Sequence, residues 1–258
     1  MTQEEMDILV PQKLKEIEEQ QGVTVLLAVE SGSRAWGFAS PDSDFDVRFI
    51  YKRPLNGYLQ LNRPRDVIEL PVDNTWDVSG WDLDKTLRLL YKSNPTLFEW
   101  ANSLLCYLQT EFSARLVPLL SEYLSVKNAL YHYLNAARSD VSAYLKGEMV
   151  RPKKYFYALR EVLACLWVLE NRTPPPVLFS ELADAMLPDS LRPPLEYLLD
   201  IKLNSPEKAL IKPVGDIDSF LDTNISRLDE VMKNLPKENP RSWDLLNDFF
   251  ISEITETF

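Results

Sequence analysis

VTVLLAVESGSRAWGFASPDSDFDVRFIYKR, residues 23–53, is the stretch whose reading decides the fold. Its first part, Val23 to Val29, is an apolar run of strand length, the pattern of a buried strand. Ser31-Gly32-Ser33 follows as a small-residue turn. A second strand is expected over Phe45 to Tyr51, opened by Asp44 and Asp46. Side chains alternate across a strand, so these two carboxylates point the same way. Side by side they repel and resist joint ionisation. A divalent cation removes that conflict, and hard oxygen ligands suit Mg2+ or Mn2+. Gly32 lets the backbone approach a bulky ligand. Ser33 is expected to begin a helix from Arg34 onward, whose outward N–H groups attract phosphate. A phosphate cradle beside a metal-holding carboxylate pair is the equipment of phosphoryl or nucleotidyl transfer. Pro41-Asp42-Ser43-Asp44 also reads as an ordinary polar turn, and an Asp-x-Asp alone is a weak motif. Strand, Gly-Ser, ten residues, then Asp-x-Asp opening another strand is far more specific.

Gly32-Ser33 with Asp44-Phe45-Asp46 resembles the signature of the DNA polymerase β-type nucleotidyltransferase superfamily. The fuller wording SGSRAWGFASPDSDFDVRFIY (31–51), with DVSGWDL (77–83) and KSNPTLFEW (92–100), is similar to the branch associated with bacterial and phage RNA repair. The likeness is close over the first 110 residues or so and looser afterwards, where KKYFYALR (153–160) matches best. The resemblance implies transfer of a nucleoside monophosphate from an NTP to an acceptor hydroxyl, with phosphates over Gly32-Ser33. It suggests an RNA end as acceptor; a protein hydroxyl (AMPylation) or a small molecule uses the same metal chemistry. A rival reading from another class is a nucleotide-sensing or protein-interaction module without turnover.

Such enzymes need a third acid on a neighbouring strand, to complete the cation site and act as base. Asp66, Glu69, Asp73, Asp77 and Asp82 are the candidates. Asp82 reads as a helix cap and Asp73 as a turn residue. Asp77 lies between apolar neighbours in an expected strand, where a charge is expensive without a partner. The resemblance places an acid just before the Ser-Gly-Trp phrase, so Asp77 is chosen, with Glu69 as runner-up.

The 258 residues, 45% hydrophobic and 26% charged, suit a soluble globule of one large domain or two small ones. A net charge of −11 argues against a long nonspecific nucleic-acid surface, which needs a basic stripe. A small substrate, or a nucleic-acid end on a local basic patch, is compatible. Cys106 and Cys165 lack metal spacing, are expected to pack as small hydrophobes, and suggest a reducing cytoplasm. No apolar run approaches the ~20 residues that span a bilayer, and MTQEEMDILVPQ lacks a signal-peptide core.

In order, an amphipathic helix bent or restarted at Pro11 is expected over 3–20, covering one sheet face. A loop with one short helix should follow the second strand. Strands are expected over Asp66–Val72 and Trp76–Trp81, joined by an Asp73-Asn74 turn. Helices are expected over Leu83–Tyr91, capped by Asp82, and Pro95–Ser103, capped by Asn94, then an edge strand over Leu104–Leu108. Beyond Thr110 helical periodicity covers 110–124, 126–147, 152–170, 180–187, 190–203, 206–211, 217–235 and 241–256. The fold class is α+β: a nucleotidyltransferase-like mixed sheet of four or five strands with flanking helices (1–115), then an all-α domain (116–258).

Trp36 and Phe38 are expected in the core. Arg34 follows the phosphate turn and reads equally as a phosphate ligand or a partner of a nearby acid. In the helical half, Arg151–Arg160 is the basic, aromatic-rich cluster. Lys153, Tyr157 and Arg160 share a helix face, and Lys154 also neighbours Tyr157. A solvated face is the plain reading; a surface for triphosphate or base is the functional one, with Lys154 and Tyr157 singled out. A lone histidine, His132, makes neither a triad nor a zinc site and is assigned to packing.

Overall fold

The computed structural model describes residues 2–40, 42–71, 76–206, 208–239 and 241–255. The opening stretch forms the middle of one mixed sheet. β1 (Thr24–Glu30), β2 (Phe45–Lys52), β3 (Val67–Glu69), β4 (Trp76–Asp82) and β5 (Cys106–Gln109) lie in the order β3-β4-β2-β1-β5. β2 runs antiparallel to β1 and parallel to β4. It is therefore covered on both faces, which explains its weak alternation of apolar and polar residues. Gly80 pairs with Phe49 across β4 and β2, and a Cβ there would meet the Phe49 ring at 2.2 Å, so only glycine fits.

One face is covered by α1 (Gln3–Gln21), whose Met6, Val10, Leu14 and Ile17 pack on Phe45, Val47, Phe49 and Tyr51. Thr2 and Glu5 close a capping box at its start, and Pro11 lies within one continuous helix. The opposite face is covered by α4 (Leu83–Tyr91), α5 (Pro95–Ala101), α6 (Glu111–Tyr123) and α12 (Asp244–Thr255). Leu83, Leu87, Leu97, Trp100, Phe112, Leu116 and Leu246 meet Leu27, Val29 and Ile50 there. Each such burial contributes roughly 1.5–3 kcal/mol. Asp82 and Asn94 cap α4 and α5 as expected, each accepting from the N–H two residues on. Two short turns of helix, α2 (Gly32–Ala35) and α3 (Leu55–Tyr58), interrupt the loops.

α7 (Val126–Tyr144), α8 (Pro152–Asn171), α9 (Phe179–Met186), α10 (Arg192–Asn204) and α11 (Gly215–Asn234) build a separate helical core. Phe38 crosses into it from the loop after α2, stacking on Phe156 at 4.9 Å and meeting Phe179 edge-on at 5.5 Å. The last helix, α12, returns to the sheet. Lys52 Nζ donates to the Glu253 carbonyl at 2.6 Å, and Arg115 pairs with the buried Glu253 carboxylate at 2.8 Å. Trp243 stacks on Tyr91 at 3.7 Å beside that junction.

Some expectations are corrected. Residues 208–211 form no helix; Ile211 instead bridges to Val150, backbone to backbone. β3 is shorter than expected, and the Asp73-Asn74 turn lies outside the described residues. Cys165 is buried, but Cys106 is exposed because its strand is the sheet edge. His132 is exposed and not packed in the core; it sits on α7 at the edge of a cavity against α5 and α8. No described helix is long and apolar enough to cross a membrane.

Candidate active site

The sheet register fixes the site. Asp46, in the central strand, stands directly beside Asp77 of β4, and β1 delivers Glu30 and the Gly32 turn to the same edge. The Ser31 N–H donates to the Asp46 carbonyl at 2.9 Å, tying the turn to the strand. Gly32 has φ +63°, and a Cβ there would sit 2.3 Å from Asp46 Oδ2. Both facts require glycine, one for conformation and one for space. Helix α2 is a single turn, not the longer helix whose dipole would gather phosphate, and Ser33 is buried within it.

Asp44 precedes β2 and is exposed. Arg34 sets its position: Nη2 donates to the Ser43 carbonyl at 2.6 Å and Nε to the Asp44 carbonyl at 3.1 Å, with the guanidinium over the Phe45 ring at 3.7 Å. Arg34 thus braces the strand entry.

Arg48, two residues beyond Asp46 and on the same face, lies between the strand carboxylates. Its Nη2 donates to Asp46 Oδ1 at 2.9 Å and to Asp77 Oδ2 at 2.8 Å. Among the described residues, no three His, Cys, Asp or Glu side chains already stand close enough together to hold a metal ion. Burial raises the Asp46 carboxyl above the usual range. Arg48 opposes the rise, Asp77 adds to it, Lys153 opposes it and Asp44 adds to it. Those four charges surround one carboxylate.

Beneath this edge, Glu30 is fully buried. It accepts from the Asp46 N–H at 2.7 Å and from the Tyr107 hydroxyl at 2.6 Å. Desolvation pushes its carboxyl up to about 7, against the pull of the Tyr107 and Asp46 hydrogen bonds. Glu30 therefore holds the backbone that carries Asp46.

Glu69, the alternative third acid, is two strands from Asp46; it pairs with Ser79 in register and with Arg65 as an ion pair. Asp82 caps α4 and binds Arg53. Asp66 pairs with Lys85, and Asp73 lies outside the described residues.

Helix α8 brings the basic cluster over from the helical half. Lys153 is the lysine whose charge Asp46 feels. Lys154 turns instead to α7, paired with Asp140 at 3.2 Å and set 3.7 Å above the Tyr144 ring. Tyr157 meets Trp36 edge-on at 5.0 Å; Phe38 is core, while Trp36 is partly buried, packed against the same core, and also lines a cavity. Arg160 is buried, pairing with Glu99 and donating to the Pro176 and Val177 carbonyls. Glu30, Arg48 and Lys153 are the site residues that pattern alone did not single out. A charge ending an apolar run, and an arginine two beyond an aspartate within a strand, were the available signals.

The edge thus carries a glycine turn and carboxylates on adjacent strands of a mixed sheet. The profile of the RNA repair pathway DNA polymerase beta family matches residues 6–252, and the chain belongs to that family. It is 42% identical over 248 residues to the Bacillus subtilis (strain 168) protein named "Uncharacterized protein YcgL", covering 95% of each. Among solved structures it aligns with a nucleotidyltransferase-like protein from Exiguobacterium sibiricum 255-15, at 13% identity and a TM-score of 0.32, over 86% of this chain and 74% of that one.

Proposed function

We propose that this protein is a divalent-metal-dependent nucleotidyltransferase that moves an NMP from an NTP to a hydroxyl at an RNA end. The observation that carries the reading is the pairing of Asp46 with Asp77, in register, against the Gly32 turn, with Asp44 at the strand entry. The donor set fits a hard cation: all oxygen, from three carboxylates, with Asp46 raised by burial and by its acidic neighbours. Mg2+ or Mn2+, held by Asp44, Asp46 and Asp77, would supply neutralisation of phosphate charge and polarisation of the α-phosphate.

The chain's own groups account for the rest. The Gly32-Ser33 backbone lets phosphates approach Asp46 without a side chain intervening. Asp77 accepts the proton of the acceptor hydroxyl while its oxygen bonds to the α-phosphorus. The bond from that phosphorus to the β-bridging oxygen breaks, and pyrophosphate leaves with Lys153 beside it. Arg34 supports Asp44 from behind. Lys153 takes the phosphate role for which the sequence suggested Lys154, and Lys154 keeps α8 against α7. Tyr157 remains a stacking surface. The acceptor assignment draws on the family's description and on the overall acidity, which suits an end better than a long tract.

The test is incubation with α-labelled NTPs, Mg2+ or Mn2+, and RNA with a free 3′ hydroxyl. Label should appear on RNA, and Asp44→Asn or Asp46→Asn should each remove it by about 10³-fold. Transfer at the unaltered rate in either variant would overturn the assignment. The Arg48 bridge supports one second reading, a nucleotide-binding module without turnover. Binding of NTP with no label on RNA, protein or small-molecule acceptors would favour it.

A further inference from the structure

Three phrases that the sequence singles out, SGSRAWGF (31–38), KSNPTLFEW (92–100) and KKYFYALR (153–160), meet at one buried ion pair. Arg160 of α8 pairs through Nη2 with Glu99 Oε1 of α5 at 3.1 Å. The other oxygen of Glu99, Oε2, accepts from Trp36 Nε1 at 3.2 Å. The guanidinium also stands over the Trp36 ring at 4.8 Å. Its Nη1 donates to the Pro176 and Val177 carbonyls at 3.2 and 3.0 Å, just before α9. The circuit closes through backbone, where the Phe179 N–H, first in α9, donates to the Trp36 carbonyl at 2.9 Å. A cavity of about 260 Å³ lies against Trp36, Glu99 and Arg160, so these bonds, and not close packing on every side, hold the three side chains.

Stability is a weak reason for such an arrangement. A buried ion pair is often matched by apolar side chains of similar volume, while its directional bonds can specify one arrangement of the chain. What this pair specifies is the relation between the sheet and the helical half at the carboxylate edge. Trp36 ends α2, and its backbone N–H donates to the Gly32 carbonyl at 3.0 Å, so the side chain that Glu99 holds is fixed to the Gly32 turn. Arg160 lies two turns beyond Lys153 on one face of α8, and the charge of Lys153 reaches Asp46. Glu99 thus ties the turn that phosphate approaches to the helix that brings the lysine.

We infer, resting on the nucleotidyltransferase reading, that Glu99 and Arg160 are positioning residues for transfer. Both act through other groups: Glu99 through Trp36 on the Gly32 turn, and Arg160 through α8 on Lys153. Charge grows on the leaving pyrophosphate in the transition state, so a displaced turn or lysine lowers kcat more than it weakens NTP binding. A misplacement of about 1 Å is enough for about a hundredfold. Arginine suits the position because its planar fork spans Glu99 and two carbonyls at once, which a lysine ammonium does not.

The test is steady-state label transfer from NTP to RNA by the full chain, with the stability of each variant read by chemical denaturation. Glu99→Ala should lower kcat by roughly tenfold to a hundredfold, with KM for NTP within about threefold. Glu99→Gln, whose amide oxygen still accepts from Trp36, should recover part of that loss, and Arg160→Lys should behave as Glu99→Ala does. Leu163→Ala, in the buried core of α8, is the control: it destabilises the chain and should leave kcat unchanged. Trp36→Phe keeps an aromatic ring and every backbone bond, so it reads the link even where a Glu99 variant fails to fold. It should lower kcat by about fivefold, the worth of one hydrogen bond, and add nothing in the Glu99→Ala chain. Losses of kcat no greater than in Leu163→Ala, losses seen in KM alone, additive effects of Trp36→Phe and Glu99→Ala, or unaltered transfer by Trp36→Phe would overturn the positioning role and leave the proposed function standing. No transfer by the unaltered chain would overturn both.

Discussion

The two ends of strands β2 and β4 use the same side-chain chemistry and balance it differently. At the entering end, Arg48 meets both Asp46 and Asp77, with Asp44 close by and Lys153 reaching over from α8. At the leaving end, Arg53 meets Asp82 at 3.1 Å with both side chains largely buried. A cavity of about 450 Å³, larger than the one beside Trp36, opens there among Arg53, Arg63, Arg65 and Arg88. Every one of those arginines has an acidic partner: Asp82 for Arg53, Asp84 for Arg63 and Arg88, Glu69 for Arg65. The Tyr58 hydroxyl is pushed up beyond its usual range by burial and by Asp82, which keeps it protonated. Size of cavity is therefore a poor guide here. One end has its charges matched, and the other gathers three carboxylates around Arg48, which the proposed function assigns to a cation.

That contrast can be broken by a pair of substitutions. The largest effect is expected from Asp46→Asn, with loss of transfer by about 10³-fold and a change in unfolding free energy within about 1 kcal/mol, read by label transfer and chemical denaturation. Asp82→Ala should do the reverse. It strands the buried Arg53 and removes the α4 cap, so about 3 kcal/mol of stability should be lost while transfer persists. Equal losses of activity in both variants would erase the distinction between the ends.

Gly32→Ala tests the turn. The added methyl meets Asp46 Oδ2, and the positive φ adds strain of about 1–3 kcal/mol. Activity should fall by about tenfold to a hundredfold through displacement of Asp46, seen in steady-state rates at saturating NTP.

The last effect, at Glu161, appears only as a dependence on pH. Its carboxyl is raised from 4.5 to about 9 in the fold, so the folded chain holds a proton that the unfolded chain has released between those values. The stability it contributes is full below about pH 4.5, declines through that window and is lost above about pH 9. The slope is about 1.4 kcal/mol per pH unit within the window. Denaturation midpoints compared between the unaltered chain and Glu161→Gln should diverge with rising pH, the variant losing less. Parallel curves would show that Glu161 ionises normally.

How much was legible differs between these regions for a physical reason. The strands around Asp44 and Asp46, the caps Asp82 and Asn94, and the helices of the second half follow from periodicity and capping, which are properties of adjacent residues. The return of α12 to the sheet was not legible, since the partners Lys52, Arg115 and Glu253 are far apart in sequence. The exposure of Cys106 depended on which strand became the edge.

The sequence by itself determined that a glycine turn and the Asp-x-Asp at the start of the next strand would sit together, because a short chain segment joins them; Asp44 itself lies before β2, so strand alternation positions only Asp46 and Arg48. Tertiary structure decided what surrounds them. Parallel pairing of β2 with β4 chose Asp77 over Glu69 as the neighbour of Asp46 and gave Arg48 both carboxylates to bridge. The packing of α8 against α7 sent Lys154 to Asp140 and left Lys153 toward the acids, a difference of one residue that is about 100° of helix. Electrostatics acts through space, so the partners of a charge are settled only when the chain has folded around it.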